Sequence, residues 1–304
     1  MERSLARKRM ITVNIIGGLG NQMFQYAFGY AASKENNADL KIDASGFDAY
    51  ELRDYELGLY SVEKGLKFES KYKFLVDRIN AKNETFIDKI VRKLLMILLK
   101  FTKFFYQEKE EFVFDKEDFN ITTDTYFYGH WQNEKYFKKY RKDLLEIFTL
   151  KNTHPQTEEY RQKIIESESV SLHIRRGDYL TDTHANSVHG ICNMEYYKKA
   201  VMEVLKSKKH AHFFIFSDDL GWAKGNLDFI GNKTFVALEV GTPDHEEIYL
   251  MSQCKHNIIA NSSFSWWGAW LNQSSDKKVI APKKWFKNAT INTDNLIPDL
   301  WARL

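Results

Sequence analysis

The sequence predicts an α/β protein of doubly wound parallel sheets, and three observations carry that reading. Short β-branched and aromatic runs alternate with longer stretches of helical spacing, the pattern of strand–helix–strand units. Glycine, serine and aspartate clusters follow directly on several of the runs, as turns at strand ends do. The 304 residues, 43% of them hydrophobic, suffice for two cores rather than one. Pro155 breaks a polar stretch at 152–159 and sets the boundary there. The expected division is an N-terminal α/β domain at 10–155, a C-terminal doubly wound domain at 156–285, and a tail at 286–304 that packs back on the N-terminal domain.

The N-terminal domain opens with an apolar run at 11–16, a glycine turn at 17–20, and Asn21 as the N-cap of a helix. Met23, Phe24, Ala27, Phe28 and Ala31 recur there at helical spacing, and Asp39–Asp43 reads as the next strand. From 51 to 119 charged and aromatic residues mix with few sharp signals, and the reading is mostly helical. Within it, 90–105 is strongly apolar with interspersed lysines. That pattern fits a helix resting on a membrane surface, and also a helix that is buried or packed on a partner, which is the simpler account. The second half is more regular: strands at 170–174, 212–216, 234–238, 257–260 and 278–281, with helices at 194–205 and 244–254 among them.

The 44 basic and 41 acidic residues leave a formal charge of +3, which argues against nucleic-acid binding through bulk charge, so any anion site must be local. Cys192 and Cys254 are too few for a disulfide framework and are expected as free thiols in a reducing compartment. No run of 18 or more apolar residues suggests a membrane span, and the basic 1–9 stretch lacks the apolar core of a signal peptide. The expected location is the cytoplasm, with peripheral membrane contact through 90–105 as the alternative to burial of that segment.

Three polar clusters fall in equivalent places, each directly after an expected strand: Arg175-Arg-Gly-Asp178, Ser217-Asp-Asp219 and Asn261-Ser-Ser-Phe-Ser265. In an open parallel sheet, ligands bind beyond the carboxyl ends of the strands. Paired arginines offer planar forks of donors that suit a diphosphate, although a solvated salt bridge is the plainer reading of such a pair alone. Ser262 or Ser263 can cap the following helix and present its positive end to an anion. Asp218 or Asp219 suits the base edge or ribose of a nucleotide. Metal binding at this acidic pair is disfavoured, because adjacent strand-end carboxylates point to opposite faces. A competing reading lies at the other end of the chain. Gly18 and Gly20 after a strand, with Asp43 about 23 residues on, imitate an NAD-binding turn, but Met23 stands where its third glycine belongs. Arg176-Gly-Asp178 also spells an adhesion tripeptide, which would leave the other clusters unexplained.

Five ordered motifs carry a resemblance: Gly17-Gly-Leu-Gly-Asn-Gln-Met-Phe-Gln-Tyr26, Gly129-His-Trp-Gln-Asn-Glu-Lys-Tyr136, His173-Ile-Arg-Arg-Gly-Asp178, Phe214-Ile-Phe-Ser-Asp-Asp219 and Asn261-Ser-Ser-Phe-Ser-Trp-Trp267. Together they resemble the bacterial α-1,2-fucosyltransferases of glycosyltransferase family 11 over nearly the whole chain. The resemblance implies a GT-B fold, two facing Rossmann-like domains with a cleft between them, and inverting transfer of L-fucose from GDP-fucose to the 2-hydroxyl of a galactoside in polysaccharide or O-antigen synthesis. It implies no metal or other cofactor. It places the donor against His173, Arg175, Arg176, Ser217, Asp218, Asp219, Asn261, Ser262, Ser263 and Phe264, with Arg175 on the leaving diphosphate. Gly18, Asn21, Gln22, Trp131 and Gln132 fall on the acceptor or fucose side, where Trp131 is either a sugar platform or core. Asp178 is the first candidate for the base, with Asp182 and His189 behind it, and is equally suited to bracing an arginine. A GDP-sugar-binding module without turnover is the remaining alternative.

Overall fold

The computed structural model describes residues 7–49, 54–62, 85–177, 190–288 and 290–304. The chain divides into two compact units, Met1–Phe148 and Thr149–Leu304. The division falls ahead of Pro155, because that proline opens a helix of the second unit as a first-turn residue, where its missing N–H costs nothing.

The first unit holds strands β1 (Met10–Asn14), β2 (Asp39–Asp43), β3 (Phe105–Gln107) and β4 (Thr125–Tyr128), all parallel in the order β2-β1-β4-β3. Helix α1 (Leu19–Asn36) connects β1 to β2 and lies close against them: a Cβ at Gly29 would sit 2.6 Å from Val13. Its core joins Ile11 and Val13 to Phe24, Phe28, Phe127 and Trp131, all fully buried. The stretch expected to be mostly helical departs from that expectation. It contains α2 (Phe86–Lys100), but also β3, whose three residues are too short to show a period of two.

The second unit is a six-stranded parallel sheet of β5 (Ser169–Ile174), β6 (His212–Ser217), β7 (Lys233–Phe235), β8 (His256–Ile258), β9 (Val279–Ala281) and β10 (Ala302–Arg303). Its order, β10-β9-β8-β5-β6-β7, makes the first strand central. That is the arrangement of the doubly wound dinucleotide-binding fold. Helices α3 (Arg141–Ile147), in the first unit, and α4 (Pro155–Ile165) precede it; α5 (Met194–Ser207), α6 (Leu220–Asn226), α7 (Asp244–Gln253) and α8 (Ser263–Leu271) cover it.

All six residues of β5 are buried. Val170, Leu172 and Ile174 pack with Tyr197, Ala200, Val201 and Val204 of α5, while the alternate positions Ser169, Ser171 and His173 face the other way. On that other face Asn257 donates to Ser171 Oγ at 2.8 Å, so the buried hydroxyl has a partner. The segment 286–304, expected as a tail returning to the N-terminal domain, instead belongs to this unit. Trp301 packs on Trp266 at 5.4 Å, Trp266 Nε1 donates to Leu296 O at 2.8 Å, and β10 adds the last strand. The Trp266–Trp267–Trp270 helix face is therefore core. Cys192 and Cys254 are both free thiols.

Candidate active site at the carboxyl edge of the second sheet

Strand order reverses between β5 and β8, and sheets of this kind bind ligands beyond the carboxyl ends at that point. Three strand ends meet there. β5 delivers His173, Arg175 and Arg176; β6 delivers Ser217, Asp218 and Asp219; β8 leads through Asn261 into Ser262, Ser263 and Phe264.

The carboxylate of Asp218 organises the loop after β5. It accepts from the backbone N–H of Arg176 at 2.8 Å and of Gly177 at 2.9 Å, and it lies 3.2 Å from Nη1 of Arg175. Glycine at 177 makes room for that carboxylate, since a Cβ there would lie 3.0 Å from its Oδ2. Asp219 accepts from Trp222 N at 2.9 Å, capping α6, and its other oxygen lies 3.5 Å from Arg176 Nε. The Arg176 guanidinium lies 3.9 Å from the centre of the Trp222 ring. Both carboxylates, expected to meet a nucleotide base or ribose, are therefore engaged in holding the arginine loop. Arg176 is held between Asp219 and the Trp222 ring, and the Arg175 side chain, beside Asp218, is 24% exposed. Asp178, Asp182 and His189 lie outside the described residues.

His173 is buried, and burial, reinforced by the Arg175 charge, pulls its pKa down to about 3. Its imidazole is thus neutral, with Nδ1 buried and without a hydrogen-bond partner among the described residues, and its ring centre is 5.8 Å from that of Phe264. Ser262 is the N-cap of α8, accepting from Phe264 N at 3.3 Å. Asn261, expected as a donor contact, is buried. It donates to Gly190 O and Trp285 O at 3.2 and 3.0 Å and accepts from Cys192 Sγ, so it fixes the chain entering α8.

Glu247, in the first turn of α7, joins this group without having been expected. Burial, then the charges of Asp244 and Asp218, push its carboxyl up to about 7, and Arg175 acts in the opposite sense. The sequence offered only three acids at the start of a helix, which complement the helix dipole wherever they point.

In the first unit β1 lies between β2 and β4. There Gln132 Nε2 donates to Asn21 Oδ1 at 2.7 Å, joining two expected acceptor-side residues 111 positions apart. Asn21 lies inside α1, whose N-cap is Gly18, because Gly18 is already extended while Leu19 is helical. Two residues placed on the acceptor or fucose side are buried here. Gln22 is fully buried, donating to Gly17 O and Asp54 O and accepting from Glu56 N, so its amide is committed to the loop. Trp131 is fully buried too, with one face stacked on Phe28 at 3.9 Å and 5°, which leaves no platform for a sugar. Its positive φ of 55° is held by Glu108, which accepts from the N–H of His130 and Trp131. The NAD reading fails in the same region. Met23 is core, and Asp43 accepts from Ser45 and Tyr126 rather than facing a ribose.

The family model of glycosyl transferase family 11 matches residues 67–301. The chain belongs to that family. Across 97% of its length it is 35% identical to an α-1,2-colitosyltransferase of Escherichia coli, covering 99% of that protein. It is 33% identical over 95% of its length to an E. coli O-antigen biosynthesis glycosyltransferase, covering 98% of it. A more distant relative, galactoside α-(1,2)-fucosyltransferase 2 of Oryctolagus cuniculus, is 22% identical over 88% of this chain and 68% of its own. Among solved structures, a mutant of Arabidopsis thaliana FUT1 in complex with GDP superposes with a TM-score of 0.50 at 12% identity, over 91% of this chain and 71% of that one. This likeness concerns fold, and it agrees with the parallel α/β sheets described above.

Proposed function

We propose that this family 11 glycosyltransferase moves L-fucose from GDP-β-L-fucose to the 2-hydroxyl of a terminal galactoside, in α-1,2 linkage, with inversion and without a metal ion, in glycan or O-antigen synthesis. On this reading the fold is GT-B, the second unit holding the donor and the first receiving the acceptor. The observation that carries it is Arg175: a partly exposed guanidinium at the sheet's switch point, with the capped start of α8 and a neutral His173 at the same edge. As the bond from the anomeric carbon to the diphosphate breaks, its electron pair stays on the diphosphate oxygen. A preplaced guanidinium is worth about 3 to 4 kcal/mol to that developing charge, the scale of an oxyanion-hole donor. The acceptor oxygen forms the new bond from the opposite face, and its proton passes to a base, for which Asp178 is the proposed group.

The relatives' names support α-1,2 linkage and galactoside acceptors, and one names colitose as the transferred sugar. Colitose differs from fucose only in lacking the 3-hydroxyl, so GDP-colitose is the second donor to test. Incubation with GDP-fucose or, separately, GDP-colitose, a panel of β-galactosides and EDTA, read by mass spectrometry, is expected to give a singly fucosylated product from GDP-fucose, at a rate that Arg175→Ala lowers about a hundredfold or more. Full activity of that variant, or strict dependence on a divalent ion, would refute the mechanism. Turnover of GDP-colitose alone would keep the mechanism and reassign the donor.

A further inference from the structure

Helix α2 carries two apolar faces, and among the described residues only one of them is packed. Leu95, Met96 and Leu99 lie on the hydrophobic cluster of Phe105 and Tyr126. Phe86, Ile87, Ile90, Val91, Leu94, Ile97, Leu98 and Phe101 are exposed, Phe86 by 79%, Leu98 by 67% and Phe101 by 84%. At about 100° per residue these eight side chains fall within a sector of roughly 140°, a continuous face rather than scattered positions. The expectation that this segment is buried thus holds for one face and fails for the other. Soluble proteins seldom leave so contiguous an apolar surface without a partner.

The charges around it select that partner. Residues 85–103 contain Lys89, Arg92, Lys93, Lys100 and Lys103 against a single acid, Asp88, so five minus one leaves a local charge of +4. Asp88 is held by Thr85 in a capping box at the helix start. Lys89 and Lys93 are exposed and border the apolar sector on the side of Phe86 and Ile97. A second copy of this helix would bring lysines to the seam with no carboxylate to meet them. An anionic lipid surface supplies the complementary charge along the whole edge. With 15 residues, α2 is too short to cross a bilayer, and no helix among the described residues is long and apolar enough to do so.

We infer that α2 is a membrane-docking helix: it lies in the plane of an anionic lipid surface with its Phe86–Phe101 face among the acyl chains and its lysines at the headgroups. The reaction itself does not require this contact, so the inference stands or falls separately from the proposed transfer.

The test is flotation of the full chain with vesicles of phosphatidylcholine alone or with phosphatidylglycerol added. The protein is expected to float with the anionic vesicles, to float much less with the zwitterionic ones, and to be released by high salt. Ile90→Asp with Leu94→Asp should lower partitioning at least tenfold. Lys89→Gln with Lys93→Gln should lower it roughly fivefold per lysine on anionic vesicles only. All four side chains are exposed, so both variants should keep the wild-type circular dichroism spectrum and turnover of a soluble acceptor. Absence from anionic vesicles, or equal flotation of the Asp variant, would overturn the proposal. So would a dimer in lipid-free light scattering that the Asp variant splits, because the face would then be a self-interface.

Discussion

At the amino edge of the second sheet Glu168 meets Lys208 at 2.9 Å, Lys255 at 3.1 Å and His256 at 3.0 Å, and the other nitrogen of His256 accepts from Lys278 N. At the carboxyl edge, some 6 residues along the same strand, His173 has an unpartnered nitrogen, Glu247 is driven toward neutrality, and Arg175 remains partly exposed beside a shared carboxylate. One strand thus begins in a closed charge network and ends beside a buried imidazole nitrogen with no partner among the described residues. A closed network adds to stability and does little else, whereas polar groups left short of partners in a partly buried place are available to a ligand.

Substitutions at the two edges can break that contrast. The largest expected effect is on activity alone: Arg175→Ala should lower kcat/KM by about 10² to 10³ while leaving the melting temperature nearly unchanged. Equal loss of both would mean that Arg175 is a structural pair of Asp218 and nothing more. Asp218→Asn, which keeps the shape but removes the charge holding Arg175 and two backbone N–H groups, should cost about tenfold in activity with a smaller drop in melting temperature. Retained activity would show that the loop is held by other means.

The remaining two predictions concern pH and should have opposite slopes. Hydrogen bonds from Lys208 and then His256 draw Glu168 down to about 2 from its unfolded 4.5. Its stabilisation is therefore present above about pH 4.5 and lost as pH falls toward 2, so Glu168→Gln should flatten the acid side of the melting-temperature profile. The side chain is 29% exposed, so only a few degrees are at stake. Glu247 is the reverse case. With its carboxyl raised to about 7, the folded state favours the protonated form, and stability falls as pH rises from about 4.5 through 7. Glu247→Gln should melt slightly higher than the parent at pH 8 and alike below pH 4.5; parallel profiles would show that Glu247 is solvated.

The contrast also marks what the sequence made legible. β5 and β6 were readable because their apolar content is continuous and polar clusters end them, and β2 because it lies alone between turns. β3 and β10 were not, β3 because it runs on from the apolar stretch of α2 without a turn signal between them and β10 because only two residues form it. At the site, residue type indicated that Arg175, Asp218 and Ser262 belong to one edge, but not which carboxylate braces and which side chain stays open. That depends on where Asp218 meets the backbone of a loop some 40 positions earlier. Trp131 and Gln22 stayed open for the same reason: aromatic and amide side chains serve a core or a sugar equally well, and only packing decides. The 86–101 apolar pattern was visible, yet whether its outer stripe meets protein was not.

β5 is flanked by β6 along all six of its residues and by β8 over 170–172, and none of its side chains reaches solvent. Its amides should accordingly be among the last in the unit to exchange with deuterated solvent, opening only when the whole unit opens. The guanidinium proposed to meet the diphosphate begins one residue past the end of that strand. A group proposed to change partners during turnover is thus mounted at the end of a fully paired, buried strand, so its expected mobility resides in side-chain torsions and not in the chain that carries it.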